Sequence, residues 1–284
     1  MSLEEISNGN LNKVFKLNFE NKNYIIRISE FNNNFETKVL KALEKYDMNT
    51  PKIKAGFIFE NKFVMICDYI KGIHPDIYDE LFYKNLSDKM KKLHNIKLSL
   101  DIENVNFESL EKLKEYYEAS IVSKYLKHNL NIVERVFKEV SSNLELNKLP
   151  KCLIHSDLKR ENIIVDNNEV YLIDFGNCYI GNRLIDIIRV LMWFFIKNDN
   201  YDICKMKIVV KNYFDVNNKM TTIEKNNLEL LFKFCLLYNL LKDIYLFEKE
   251  LLTNEYIETS SLKWLEPLKD EKKLETVLGV LRNA

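Results

Sequence analysis

The chain is 284 residues long, 46% hydrophobic and 30% charged, a balance that supports a sizeable core and excludes a chain that stays disordered. Lysine plus arginine equals aspartate plus glutamate at 42 each, so global charge gives no reason to expect nucleic acid or an anionic membrane as a partner. The five cysteines (Cys67, Cys152, Cys178, Cys204 and Cys235) are widely spaced with no CxxC pair, which argues against a disulfide framework or a zinc site.

In chain order, "MSLEEISNGN" lacks the basic and apolar regions of a signal peptide. "KVFKLNF" (13–19) and "NYIIRIS" (23–29) read as strands around the turn-like "ENKN". "FETKVLKALEKY" (35–46) sets Phe35, Val39, Leu40 and Leu43 at helical spacing, and "NTP" (49–51) stops it. "IKAGFIF" and "KFVMICDYI" around "ENK" predict a second hairpin, closing at Gly72. From 77 to 147 the pattern is almost wholly helical, until Pro150 breaks it. "CLIH" (152–155), "NIIV" (162–165) and "VYLID" (170–174) are short strands, the last two flanking the turn "DNNE". After Gly181 the chain returns to helices up to its last residues. The longest apolar run there, "VLMWFFI" (190–196), is too short to span a bilayer, so a cytoplasmic monomer or homodimer without a membrane partner is expected. The fold class is α+β, with a small β-rich lobe at 1–66, a connection at 67–72 and a larger, mainly helical lobe at 73–284.

The chemistry concentrates in "LIHSDLKRENIIV" (153–165) and "LIDFG" (172–176). Asn162 follows Asp157 by five positions and Asp174 follows Asn162 by twelve with a turn between, which can bring three oxygen-bearing side chains to one end of a hairpin. Two carboxylates and an amide suit magnesium, a hard cation that shares its oxygen ligands with phosphates. A carboxylate that is not a metal ligand can instead accept the proton of an attacking hydroxyl.

"HSDLKREN" followed by "LIDFG" resembles the catalytic and metal-binding loops of the protein-kinase-like fold, H-x-D-x-x-x-x-N and then D-F-G. The resemblance implies that Asp157 is the catalytic base, that Asn162 and Asp174 are the magnesium ligands, and that His155 braces the loop. Lys159 resembles the lysine with which Ser/Thr protein kinases contact the transferred phosphate; many small-molecule kinases have His there. Arg27 in "YIIRI" lies where the fold carries a cation for the α- and β-phosphates, and Glu36 in "FETKVLKAL" lies where a carboxylate holds that cation. The plain alternatives are an edge-strand charge for Arg27 and an acid favoured by the helix dipole for Glu36.

Other features separate two branches of that fold. "NGNLNKVFKL" has the single glycine Gly9 in place of G-x-G-x-x-G, and with Asn12 it resembles the nucleotide-positioning loop of aminoglycoside phosphotransferases and choline kinases. "CDYIKG" (67–72) resembles their hinge, where backbone groups near Asp68 and Ile70 meet the adenine edge. No A-P-E triplet occurs, and Asp186 follows Asp174 by only twelve residues. That short connection is similar to the "GDPxxDLA" segment of the small-molecule branch, with Asn182-Arg183 in place of Asp-Pro and with Asp186 as a helix-capping brace.

The resemblance therefore implies a two-lobed kinase-like phosphotransferase of the aminoglycoside phosphotransferase/choline kinase-like family. It would use ATP, or GTP, with Mg²⁺ and act on a hydroxyl of a small molecule: an aminoglycoside-like antibiotic, choline, homoserine or another metabolite. A Ser/Thr protein kinase and a nucleotide-binding protein without turnover are the alternatives. Late aromatics and acids, Trp264 with Glu255, Tyr256 and Glu258, are candidates for a cationic-amine pocket, with core packing as the plainer role. Trp193 reads as core, and His74, His94 and His128 lack metal-ligand spacing.

Overall fold

The computed structural model describes residues 1–8, 12–29, 34–75, 79–98, 108–197 and 200–283. The first part is a five-stranded antiparallel sheet of β1 (Ser2–Asn8), β2 (Asn12–Phe19), β3 (Lys22–Ser29), β4 (Ile53–Phe59) and β5 (Lys62–Asp68), in the order β1-β2-β3-β5-β4. Helix α1 (Asn34–Glu44) lies between β3 and β4 in the chain. Both predicted hairpins form. Their turns put Glu20, Asn21, Glu60 and Asn61 at positive φ, as expected of two-residue turns matched to strand twist. β1 is an addition to the predicted elements: "SLEEISN" carries Glu4 and Glu5 mid-strand, charges that an exposed edge strand tolerates and that hide it from pattern reading.

The second part begins with α2 (Glu80–His94), α3 (Leu110–Ser120) and α4 (Leu130–Asn143). Four short strands come next: β6 (Cys152–Ile154), β7 (Ile163–Asp166), β8 (Glu169–Leu172) and β9 (Tyr179–Gly181). β7 pairs with β8 around Asn167 and Asn168, both at positive φ, while β6 pairs with β9, a three-residue strand too short to read from sequence. Then come α5 (Leu184–Phe195), a two-residue hairpin of β10 (Ile196–Lys197) and β11 (Asn200–Tyr201), α6 (Ile203–Tyr213) and α7 (Thr222–Glu248). α8 (Asn254–Tyr256) runs into a π-helical turn, Ile257–Ser261, and a 3-10 turn, Leu262–Trp264, before α9 (Glu266–Lys269) and α10 (Glu271–Arg282).

α7 is the central pillar. Phe234, Cys235, Leu236, Leu237 and Tyr238 are all buried, so the helix is covered on every side rather than along one stripe. It packs against α3, α4 and α5. A capping box starts it: Thr221 Oγ1 accepts from the Glu224 N–H (3.3 Å) while Glu224 Oε2 accepts from the Thr221 N–H (2.8 Å). Glu224 also binds Arg183 (Nε–Oε1 3.0 Å), and Asn182 Oδ1 accepts from the Leu184 N–H (3.0 Å) at the start of α5. This is what Asn182-Arg183 supplies in place of Asp-Pro: a helix-start acceptor and a tie to α7.

The two parts meet through the chain and through the sheet. Ile73 and Val165 exchange backbone hydrogen bonds of 3.1 and 2.9 Å, which fastens the segment after β5 to β7. Gly72 makes this approach possible, because a Cβ there would sit 2.5 Å from the Val165 carbonyl oxygen. Among the described residues no helix is long and apolar enough to cross a membrane.

Candidate active site

The loop between β6 and β7 is held from below by one carboxylate. Asp186, fully buried in the first turn of α5, accepts the His155 N–H (2.8 Å), the Ser156 N–H (2.7 Å) and His94 Nε2 (3.0 Å). His94 Nδ1 in turn lies 2.6 Å from the Tyr213 hydroxyl. Asp186 is thus a brace, as expected, but of the loop backbone rather than of its own helix start. Burial alone would raise its carboxyl, and the hydrogen bond and charge of His94 outweigh it, leaving the group below its ordinary range.

Ser156 adopts the left-handed region (φ 62°), which a non-glycine residue keeps only when its surroundings impose it. The surroundings do: Ser156 Oγ donates to the Asn177 carbonyl (2.6 Å), and the buried Arg189 guanidinium donates to the Ser156 carbonyl. Arg189 also binds Glu108 (2.6 Å) and Asn239 on α7 (3.1 Å). His155 Nε2 lies 2.9 Å from the Ile173 carbonyl and its Nδ1 faces the Asp157 N–H at 3.3 Å, so the ring carries its proton on Nε2.

This loop presents Asp157, Lys159 and Asn162 together. Asn162 Nδ2 donates to the Asp157 carbonyl (2.8 Å) and to its Oδ2 (2.9 Å), and Lys159 Nζ lies 3.1 Å from the same Oδ2. Burial opposes the charge on Asp157, but Lys159 and then Lys242 outweigh it, so the carboxyl sits below its ordinary range. Lys159 is correspondingly held above its own, burial being overcome by Asp157. The Ile173 N–H donates to the Asn162 carbonyl (3.0 Å), which ties the loop to the strand leading into Asp174. Asp174, also left-handed (φ 63°), has a side chain 39% exposed.

Arg27 joins the two parts of the molecule. It lies on β3, inside the sheet rather than at an edge, and is buried; it bonds Glu36 of α1 and reaches Asp174 Oδ1 at 3.1 Å. Burial would lower its pKa, but the Glu36 and Asp174 carboxylates outweigh it and hold the guanidinium charged. The buried Glu36 also accepts the Phe175 N–H (3.1 Å). Both plain alternatives for this pair are thereby removed.

Asn162 commits its Nδ2 to Asp157, which leaves its amide oxygen as the atom it can offer a cation; Asp174 offers the oxygen not facing Arg27. Two hard oxygens fit magnesium, and a cation there takes its other ligands from phosphates and water. Among the described residues no cluster of three or more His, Cys, Asp or Glu side chains could hold a metal by itself.

Asp68 and Ile70 are half-buried where the chain leaves β5; the Asp68 N–H donates to the Lys52 carbonyl (3.0 Å) and its carboxylate pairs with Lys54 (2.8 Å). Gly9 lies outside the described residues, and so does the side chain of Asn12 at the start of β2.

The other face of the catalytic loop holds residues that sequence reasoning misses. Asn239, Lys242 and Asp243 share one face of α7, at i, i+3 and i+4, the face whose Asn239 meets Arg189. Asp243 Oδ2 accepts from Ser261 Oγ (2.8 Å), and burial, opposed by that bond and by Lys242 and Lys159, pushes its carboxyl up to about 6. Lys263 Nζ sits over the Trp193 indole, 3.2 Å from its centroid, and burial pushes it down to about 7. Half-buried Tyr256 is close enough to Asp243, Lys159 and Asp157 to feel their charges. Trp264 does not line this face: it is buried and edge-on to Trp193, so the expected amine pocket loses its main wall, and Glu255 and Glu258 are exposed. Polar residues interrupting the apolar α7 are the signal that could have found this face.

A small antiparallel sheet with one helix, joined through Arg27 and Glu36 to a mainly helical part that presents an Asp/Asn loop and a second Asp, defines the protein-kinase-like class. Within it, the model of the phosphotransferase enzyme family (APH) matches residues 2–203, and the chain belongs to that family. Among solved structures it is similar to spectinomycin phosphotransferase APH(9)-Ia in complex with ADP and spectinomycin, with a TM-score of 0.70 and 13% identity over 99% of this chain and 93% of that one. It is also similar to a Plasmodium vivax ethanolamine kinase (TM-score 0.70, 17% identity, 97% and 83% covered). An amicoumacin kinase in complex with AMP-PNP and Ca²⁺ gives a TM-score of 0.68 at 15% identity, covering 96% and 89%. None of the curated protein sequences matches the chain.

Proposed function

We propose that this chain transfers the γ-phosphate of ATP to a hydroxyl group of a small molecule, with Asp157 as the base. The observation that carries the reading is the single network that runs from Arg27 through Glu36 and Asp174 to the loop of Asp157 and Asn162. In this reading 1–66 is the nucleotide-binding lobe, 67–72 the hinge with backbone groups of Asp68 and Ile70 at the base, and 73–284 the lobe with the catalytic loop and acceptor cleft. Asn12 contributes to the loop over the phosphates. Family membership and the nucleotides bound by the structural neighbours support the nucleotide assignment.

Arg27, kept charged by two carboxylates, holds the α- and β-phosphates, and Glu36 keeps it aimed. Asn162 and Asp174 are the residues that hold Mg²⁺, which when bound neutralises and bridges phosphate oxygens. Phosphoryl transfer passes through a loose transition state, so positioning and charge neutralisation carry most of the catalysis. Asp157, ionised and hydrogen-bonded by Asn162, orients the acceptor hydroxyl and takes its proton as the O–P bond forms. Lys159, 3.1 Å from Asp157, is positioned to offset charge on the moving phosphoryl group. A cytoplasmic setting, where ATP is abundant, fits this reading.

The test is acceptor-dependent ADP and GDP release across aminoglycosides, amino alcohols, sugars and a generic protein substrate, with the Asp157→Asn variant alongside. Turnover of a small molecule that is lost in the variant, with ATP binding retained, is the expected outcome. Phosphorylation of the protein substrate alone would move the assignment to a Ser/Thr protein kinase, and full activity of Asp157→Asn would remove the base.

A further inference from the structure

The acceptor side of the catalytic loop carries cations without anionic partners. Lys242 and Lys263 are half-buried, and among the described residues neither makes a hydrogen bond or ion pair; Lys263 has only the faces of Trp193 and Trp264, at 3.2 and 5.3 Å. Lys242 acts electrostatically on Asp157 and Asp243, and Lys159 acts on Lys263, so the lysines border one space beside the base. Lys112 on α3 adds a further cation next to Lys242.

The carboxylates nearby are committed. Asp157 is bonded to Lys159 and Asn162, Glu108 is bonded to Arg189, and Asp243 is held by Ser261. Glu161 is exposed at the rim. Half-buried like charges without counter-ions are unfavourable, and a ligand anion relieves both their desolvation and their mutual repulsion. A polycationic ligand would add to that repulsion.

We propose that the acceptor carries an anionic group, a carboxylate or a phosphate, which Lys242 and Lys263 bind while its hydroxyl lies against Asp157. This deepens the phosphotransferase reading and rests on it. Burial that lowers the Lys263 ammonium to about 7 agrees with a group awaiting an anion, whose arrival restores its proton.

The experiment uses the full chain and size-matched acceptors: glucuronate, glucose 6-phosphate, glucose and glucosamine, each scored by kcat/KM from ADP release. One or both anionic members should exceed glucosamine by about tenfold or more, and Lys242→Met or Lys263→Met should cut that advantage by about tenfold while Lys242→Arg retains it. The two anionic arms separate carboxylate from phosphate. Preference for glucosamine, or an unchanged ranking in both Met variants, overturns the proposal.

A second measurement is independent of turnover. With the nucleotide site filled by Mg²⁺ and a non-hydrolysable ATP analogue, lysine acylation is mapped by mass spectrometry in the presence of citrate or spermine. Citrate should protect Lys242 and Lys263 and spermine should not; equal labelling with and without citrate overturns the anion site. Protection without turnover of any acceptor would keep the anion site and defeat the phosphotransferase reading, whereas turnover with a preference for the ammonium member would do the reverse.

Discussion

On the nucleotide side of the cleft Arg27 is bonded to two carboxylates, Glu36 and Asp174, whereas on the acceptor side Lys242 and Lys263 have none among the described residues. Both sides are at least partly withdrawn from water, so burial alone does not separate them; pairing does. A closed network of opposite charges holds its geometry before anything binds, as suits a phosphate donor common to a whole family. Open charges leave part of the electrostatic complement to the ligand, as suits an acceptor that differs from one member to the next. The contrast teaches that the fixed and the variable halves of a transfer reaction can be told apart by asking which buried charges already have partners.

The comparison can be broken at several points. The largest effect is expected at the boundary between the two halves: Asp157→Asn should lower acceptor-dependent kcat by about 10²–10⁴-fold, with ATP affinity largely kept, measured by coupled ADP release and nucleotide titration. Opening the closed side comes next. Glu36→Ala leaves Arg27 short of its buried partner and frees the Phe175 N–H, and should cost about 3–5 kcal/mol in urea unfolding together with weaker ATP binding.

The link between the two parts is a smaller lever. Gly72→Ala drives a methyl to within 2.5 Å of the Val165 carbonyl oxygen and should cost about 1–3 kcal/mol by loosening the Ile73–Val165 bonds, visible as a lower thermal midpoint.

The smallest effect sharpens the open side. Lys263 titrates at about 7 in the folded chain against about 10.4 unfolded, so the unfolded chain binds more protons between those values. Its contribution to stability is therefore lost as pH falls through 7 and grows as pH rises. Buried Cys67, Cys152 and Cys235, all pushed up, oppose it only above the ordinary thiol range. Urea unfolding between about pH 7 and 8.5 should give a rising stability in the parent chain and a flatter line in Lys263→Met.

The closed side was legible in the sequence and the open side was not, for a physical reason. "HSDLKREN" and "LIDFG" crowd polar side chains between strand-forming runs, and Arg27 and Glu36 stand out against a strand and a helix start, so local pattern reveals them. Asp186 is recognisable as a brace, but its grip on two backbone N–H groups about 30 positions earlier depends on how α5 docks under the loop. Lys242, Asp243 and Lys263 read as ordinary helix-surface charges, since only the packing of α7 and the turns after α8 decides which of them lose water. Trp264 shows the opposite error: an aromatic among acids looks like a binding wall until packing puts it in the core.

The π-helical turn at Ile257–Ser261 has a consequence for how such an acceptor side diversifies. A π turn holds one residue more than an α-helical turn does. Deleting a single codon there would restore α-helical register and rotate the downstream turns by about 100°. Ser261 would leave Asp243, and Lys263 would swing off the Trp193 indole, while Asp157, Asn162, Asp174 and Arg27 stayed where they are. One inherited deletion or insertion can thus exchange the charge offered to the acceptor in a single generation, without a passage through inactive intermediates.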